Sequence, residues 1–337
     1  MILQIHTVDA HVGGQPLRLV VGGAPRSVGA SMARRSDWLR RHADYVRRAL
    51  VLEPRGHGDM LAAQLTDAVA PGAHAGIVFM GAHGYPPLSA HGVIAAATIA
   101  VERELLPSRQ DAGGEVPLTL DTAAGTIHAR VRAHDRGGVA RVDSVAFTNV
   151  PAFVHAAGQS LRIGTRELRV DIAYGGLFYA IVDTEAVGIP LSASRLPDLR
   201  RLAADIVSAA NTAIEVHHPA VPSVAGVAGV VFTGPPQDPE AHLKAVTVTG
   251  GGAVDRSPGG TGMSAVMSVL DAMGLLPEVG AFVQEGLVGT IFHGRVAGRR
   301  QVGERPAIAV EIEGTAWITG EHTFLLDEDD PFREGVG

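Results

Sequence analysis

Two short loops hold the residue types with which this chain could bind a small anion. Ser89-Ala90-His91-Gly92 opens into the largely apolar stretch Val93–Leu106, and Gly259-Gly260-Thr261-Gly262 opens into Met263–Leu276. A helix that starts in such a loop presents unpaired backbone N–H groups and a partial positive charge. Glycine lets a ligand come close to that backbone. One helix start binds an anion well, and two facing one cleft would grip a small carboxylate from both sides. Taken singly, each loop also reads as an ordinary cap followed by turn glycines. Their repetition half the chain apart points to a shared ligand.

Other polar strings are crowded beyond what a core requires. Asp9-Ala10-His11-Val12-Gly13-Gly14-Gln15-Pro16 is expected to lead into the first strand. Glu53-Pro54-Arg55-Gly56-His57-Gly58-Asp59-Met60 follows the first helical stretch, and Asp255-Arg256-Ser257-Pro258 runs into the second glycine loop. Asp255 suits a substrate ammonium held by a charge-assisted hydrogen bond; a turn-forming aspartate is the other reading.

Several chemistries are excluded or disfavoured. Without cysteine there is no disulfide, thiolate metal site or thiol nucleophile. Lys244, the only lysine, borders the strand-like Ala245-Val246-Thr247-Val248 and is poorly placed for the Schiff base of pyridoxal phosphate chemistry. His217-His218-Pro219 puts adjacent histidines on opposite faces of an extended chain, and no His-Glu-x-x-His spacing occurs, so no metal site is expected. Gly22-Gly23-Ala24-Pro25 lacks the Lys-Ser/Thr of a phosphate loop and reads as a turn. A net charge of −7 argues against nucleic acid as a partner. The pairs Arg34-Arg35, Arg40-Arg41 and Arg47-Arg48, interrupted by Asp37 and Asp44, read as a solvated helix face. The runs Gly92–Val101 and Val221–Phe232 fall short of the ~20 residues of a membrane helix, and Met1–His6 lacks a secretory pattern. No membrane partner and a cytoplasmic location are the expectation.

Among the elements that hold these residues, strands dominate. Leu17–Val21, Gly76–Met80, Val116–Leu120, Thr126–Val131, Val139–Phe147, Phe178–Val182, Gly229–Thr233, Ala245–Thr249 and Ala307–Ile312 are short and bounded by turn residues. The two loop-initiated helices are apolar over most of their surface, which marks buried helices. They are expected to end near Pro107 and Pro277. Pro197–Glu215 reads as an amphipathic covering helix, Arg132–Gly138 as a hairpin loop, and Asn149–Gln159 as a hinge. At 337 residues with 46% hydrophobic content, the chain suits two domains. The repetition predicts an α+β duplication in which each half is a curved sheet around one central helix. The expected halves are 1–155 with about 310–337, carrying the Ser89 loop, and 156–309, carrying the Gly259 loop. The segment Thr315–Phe332 is expected to return to the first half.

Nearly the whole chain resembles the proline racemase family, which includes 4-hydroxyproline epimerases and trans-3-hydroxy-L-proline dehydratases. The likeness runs through Asp9–Arg18, Glu53–Met60, Gly84–Gly92, Asp171–Asp183, Asp255–Ala265, Glu285–Phe292 and Gly314–Phe332. It implies two pseudo-symmetric diaminopimelate-epimerase-like halves, each a barrel-like sheet around a central helix. It also implies that Ala90, His91 and Gly92 with Gly259, Gly260, Thr261 and Gly262 bind the carboxylate of a proline-like imino acid. Asp255 would hold the ring nitrogen, with His57 beside it, and no cofactor or metal is required. A homodimer is left open.

Departures from the family pattern bear on the reaction. Racemases and epimerases of this family carry a cysteine in each helix-start loop. Here the first position is Ser89, followed by Ala90 in place of glycine, and the second is Gly259; Leu177 stands where asparagine is common. Two-base inversion lacks its second base at Gly259. Dehydration of a 3-hydroxyproline requires only one, and Ser89 is the candidate. The expected function is a hydro-lyase acting on trans-3-hydroxy-L-proline. An epimerase or racemase of hydroxyproline or proline, and a non-catalytic imino-acid-binding member, are the alternatives.

Overall fold

Alternation along the strands and all-round burial along two helices organise the chain. In Gly125–Asp135, for example, Ile127, Ala129 and Val131 are buried while His128, Arg130 and Arg132 point outward. The computed structural model describes residues 2–107, 109–111, 113–277 and 279–336, the side chain of residue 223 excepted. Its contacts divide into two units, Met1–Phe147 with Gly314–Gly337, and Thr148–Glu313.

The first unit contains β1 (Ile2–Val12), β2 (Gln15–Gly22), α1 (Met32–His42), α2 (Asp44–Val51), β3 (Leu61–Thr66), β4 (Ala75–Gly81), α3 (Ala90–Glu102), β5 (Glu115–Thr122), β6 (Gly125–Asp135) and β7 (Ala140–Thr148). The second contains β8 (Phe153–Ile163), β9 (Arg166–Tyr174), β10 (Phe178–Asp183), α4 (Thr184–Val187), α5 (Leu196–Ala213), β11 (His217–His218), β12 (Val221–Ala225), β13 (Val227–Gly234), β14 (Leu243–Thr249), β15 (Val254–Asp255), α6 (Gly260–Ala272), β16 (Phe282–Glu285), β17 (Ile291–Val302) and β18 (Arg305–Gly314). The last strand, β19 (Ala316–Asp327), pairs antiparallel with β1 and completes the first unit.

Both units alternate antiparallel and parallel pairings in the same order. In the first, β1 is antiparallel to β2, β2 parallel to β3, β3 antiparallel to β4, β4 parallel to β5 and β5 antiparallel to β6. In the second, the same sequence of pairings runs through β9, β10, β13, β14, β16 and β17. The role of β19 beside β1 is taken by β8 beside β9. An isolated bridge from Ala152 to Ile308 draws β18 toward the start of β8, so that the strands of the second unit curl round.

The strands of each unit wrap one helix. Every residue of α3 is buried, and α6 is buried at Gly260 and from Gly262 to Val269. Glu102 closes α3 without an unpaired charge: its carboxylate accepts from Arg141 and from the Val142 amide, both at 2.9 Å. The two helices terminate alike. Leu105 N donates to Ala100 O past a left-handed Glu104, and Leu275 N donates to Leu270 O past a left-handed Gly274. The ends therefore fall at Glu102 and Ala272, earlier than the prolines suggested, because left-handed residues stop the helices first. On β14 and β16, buried Lys244 pairs with Glu285 at 2.7 Å and reaches Gln237 Oε1 at 3.2 Å. Burial works to raise the Glu285 carboxyl, but Lys244 and the Asp238 and Gln237 amides outweigh it and hold it below the usual range.

Three expectations about elements are corrected. Asp9-Ala10-His11 lies within β1, since Val8, Ala10 and Val12 supply a buried face. The stretch expected as a hinge lies largely in β8, whose period is broken by register shifts at Ala156. The hairpin loop after β6 is confined to 136–139, because β6 continues to Asp135 as a polar extension.

Candidate active site

At the start of α3, Ser89 is the N-cap and is only 9% exposed. Its extended backbone lets Oγ accept from the Gly92 amide at 3.2 Å, an ordinary capping bond. The same Oγ lies 3.2 Å from His91 Nδ1. A buried hydroxyl next to an imidazole is the arrangement in which the ring accepts the hydroxyl proton. Ala90, His91 and Gly92 are buried in the first helical turn. Gly92 has no room for a side chain: a β-carbon there would lie 2.5 Å from the Phe79 ring of β4 and 3.0 Å from Ser89 Oγ. Its amide is engaged by Ser89, so its contribution is to let strand and cap close on the helix.

The start of α6 is built differently. Gly259 is the N-cap with φ 76° and ψ 83°, a left-handed backbone that suits glycine. Its amide donates to Ser257 Oγ at 3.2 Å. Ser257 in turn donates to Asp255 Oδ1 from its amide at 2.9 Å and its hydroxyl at 2.6 Å. Asp255 thus forms a turn, and one carboxylate oxygen is committed to it. Buried Gln284 donates to Pro258 O and pins the loop from β16. Thr261, at the second helical position, lies 2.8 Å from Tyr179 Oη. Burial pushes the Tyr179 phenol well above its usual range, so it is a neutral hydrogen-bond partner. Asn149 holds this helix turn against Gly175 through bonds to Ser264 Oγ at 2.8 Å and Gly175 O at 2.9 Å. Gly175 approaches so closely that a β-carbon on it would meet Thr261 O. Half-buried Leu177, whose carbonyl accepts from the Gly175 amide, follows in the same turn.

His57 belongs to the first unit, in a turn where its Nδ1 accepts from the Asp59 amide at 3.2 Å. His217 reaches Glu215 at 2.8 Å, and among the described residues no cluster of three or more His, Asp or Glu side chains is arranged for a metal ion. No described helix is long and apolar enough to cross a membrane. Sequence reasoning missed Tyr179, Asn149, Gln284 and Thr247. Thr247 is a polar residue inside an apolar strand and on the face toward α6, a signal that required knowing the direction of that face.

A family model described as proline racemase matches residues 7–337. The chain belongs to the proline racemase family. It is 38% identical to a proline racemase from Acetoanaerobium sticklandii over 98% of this chain and 97% of that protein. It is 36% identical to a trans-3-hydroxy-L-proline dehydratase from Azospirillum brasilense, with the same coverage of each. A hydroxyproline epimerase from Agrobacterium vitis, solved with bound trans-4-hydroxy-L-proline, superposes with a TM-score of 0.89 at 30% identity, covering 99% of this chain and 94% of that one. Racemase, epimerase and dehydratase relatives thus share the fold of this family member, and overall similarity does not separate their reactions.

Proposed function

We propose that this proline racemase family member is a cofactor-independent hydro-lyase that converts trans-3-hydroxy-L-proline to Δ1-pyrroline-2-carboxylate. The observation that carries the reading is the asymmetry of the helix starts: a serine hydroxyl beside an imidazole at one, and a left-handed glycine at the other. In this reading the Ala90, His91, Gly260, Thr261 and Gly262 backbone holds the carboxylate. Asp255 holds the ring ammonium, with His57 assisting. Ser89 removes the α-proton as His91 accepts the serine proton. The Cα–Cβ double bond forms as the C3–O bond breaks, and the proton and hydroxyl leave as water. The enamine then tautomerises to the imine.

A serine hydroxyl is a weaker acid than a thiol, whose pKa is about 8.5, and each unit of required shift costs about 1.4 kcal/mol. The helix N-terminus and the 3.2 Å contact to His91 act against that deficit. The test is incubation in deuterated water with proline, trans-3-hydroxy-L-proline and the 4-hydroxyprolines, without metal or cofactor. Imine should form from trans-3-hydroxy-L-proline, detected with o-aminobenzaldehyde, without comparable racemisation of proline. Ready inversion of a 4-hydroxyproline would overturn the one-base reading in favour of an epimerase. Absence of α-exchange from every compound would leave a binding protein.

A further inference from the structure

The third helical residue is glycine in both units, and each is covered by a hydroxyl of different origin. Over Gly92 of α3 the hydroxyl is Ser89 Oγ, 3.0 Å from where a β-carbon would stand, and β4 contributes the apolar Phe79. Over Gly262 of α6 the hydroxyl is Thr247 Oγ1, at 2.6 Å from the corresponding point, and it comes from β14. The N-cap of α6 has no side chain to contribute. The polar group has passed from the cap to the strand.

Thr247 is only 8% exposed, and its Oγ1 is buried with no hydrogen-bond partner among the described residues. A buried hydroxyl left unpaired is costly, which makes it a place where a ligand atom or a water completes the bonding. Its surroundings are those of the candidate site. Thr247 is the cross-strand partner of Asp255, so the two side chains share a face. Its Oγ1 also stands 3.0 Å from the point where a β-carbon on Gly259 would lie. With the left-handed φ of Gly259, this contact makes a side chain at position 259 both strained and crowded.

We infer that Thr247 is the second unit's counterpart of Ser89: its hydroxyl takes the space of an N-cap side chain at 259 and hydrogen-bonds the bound imino acid there. It is a positioning and specificity residue, because among the described residues no imidazole is hydrogen-bonded to it as His91 is to Ser89. The inference rests on the proposed function only in taking the α6 start as part of a ligand site.

The test uses the full chain, with pyrrole-2-carboxylate as a planar, proline-sized probe in calorimetry. Thr247→Val keeps the shape and removes the hydroxyl; it should weaken the probe about tenfold, the size of one hydrogen bond. Thr247→Ser should restore affinity to within about threefold, well inside that one-bond difference. Unchanged affinity in Thr247→Val would overturn the hydroxyl's role. If the wild type binds neither the probe nor any imino acid, the functional reading fails, and thermal unfolding decides the steric half separately. Gly259→Cys should lower Tm, and adding Thr247→Ala should recover at least half of that loss, since neighbours that compete for space are non-additive. Strictly additive shifts would overturn the inference.

Discussion

Among single residues, Ser89 and Asp255 have two roles each, and the roles can be separated. Ser89→Ala removes both the proposed base and the cap on the Gly92 amide. Turnover should fall by about 10²–10⁴, the usual share of a general base, and stability by about 1 kcal/mol, the usual share of an N-cap. Pyrrole-2-carboxylate should still bind, because the helix amides remain; loss of binding in calorimetry would show that Ser89 is a ligand contact instead. Asp255→Ala would confuse charge with loop structure, since Oδ1 holds Ser257. Asp255→Asn keeps an acceptor for that turn and removes the charge. Proline affinity should drop by about 10- to 100-fold with unchanged Tm, the scale of a charge-assisted hydrogen bond. The serine, histidine and aspartate were legible as residue types in polar strings. The backbone angle of Gly259 was not, since a glycine permits either sign of φ.

At the level of elements, the matched helix ends give a stability prediction. Glu104 adopts a left-handed φ of 51° where the second unit has Gly274 at 69°. A side chain in that conformation costs roughly 1–2 kcal/mol, partly offset by the greater freedom of an unfolded glycine. Glu104→Gly should therefore stabilise the protein by about 0.5–1 kcal/mol in thermal melts, whereas Gly274→Ala should destabilise it by about 1 kcal/mol. Both central helices were legible because an apolar surface all round leaves burial as the one solution. Their ends were not, because proline is visible in a sequence while a left-handed glutamate is not. The β8–β9 hairpin was missed for a related reason: the shifts at Ala156 break the period-two signal on which strand reading depends.

For the whole molecule, the duplication was visible in two loops half a chain apart, and the strand pairings repeat it unit by unit. The return of the chain at β19 has a consequence for truncation. Removing 314–337 would strip the partner from β1 along Ile2–Val12 and leave a long open edge. Such a fragment should be insoluble or aggregated on gel filtration, and a monomeric, cooperatively melting product would contradict this. The Glu285–Lys244 pair gives the pH dependence. Since the folded carboxyl is held below its ordinary value near 4.5, the stability it contributes is full above that value and is lost as pH falls below it through the depressed folded value. Glu285→Gln should cost about 3 kcal/mol at pH 7 by stranding a buried ammonium. The gap to wild type should narrow below about pH 4.5 in chemical denaturation.

The enclosure of Lys244 also shapes what reagents can reach this chain. It is the only lysine and is 3% exposed, so the folded surface offers no side-chain amine to acylating labels, aldehyde cross-linkers or amine-coupled supports. Acylation at Lys244 has to wait for the strands around it to part. The rate at which an amine-reactive ester appears on that residue, followed by mass spectrometry, becomes a built-in clock for opening of the second unit.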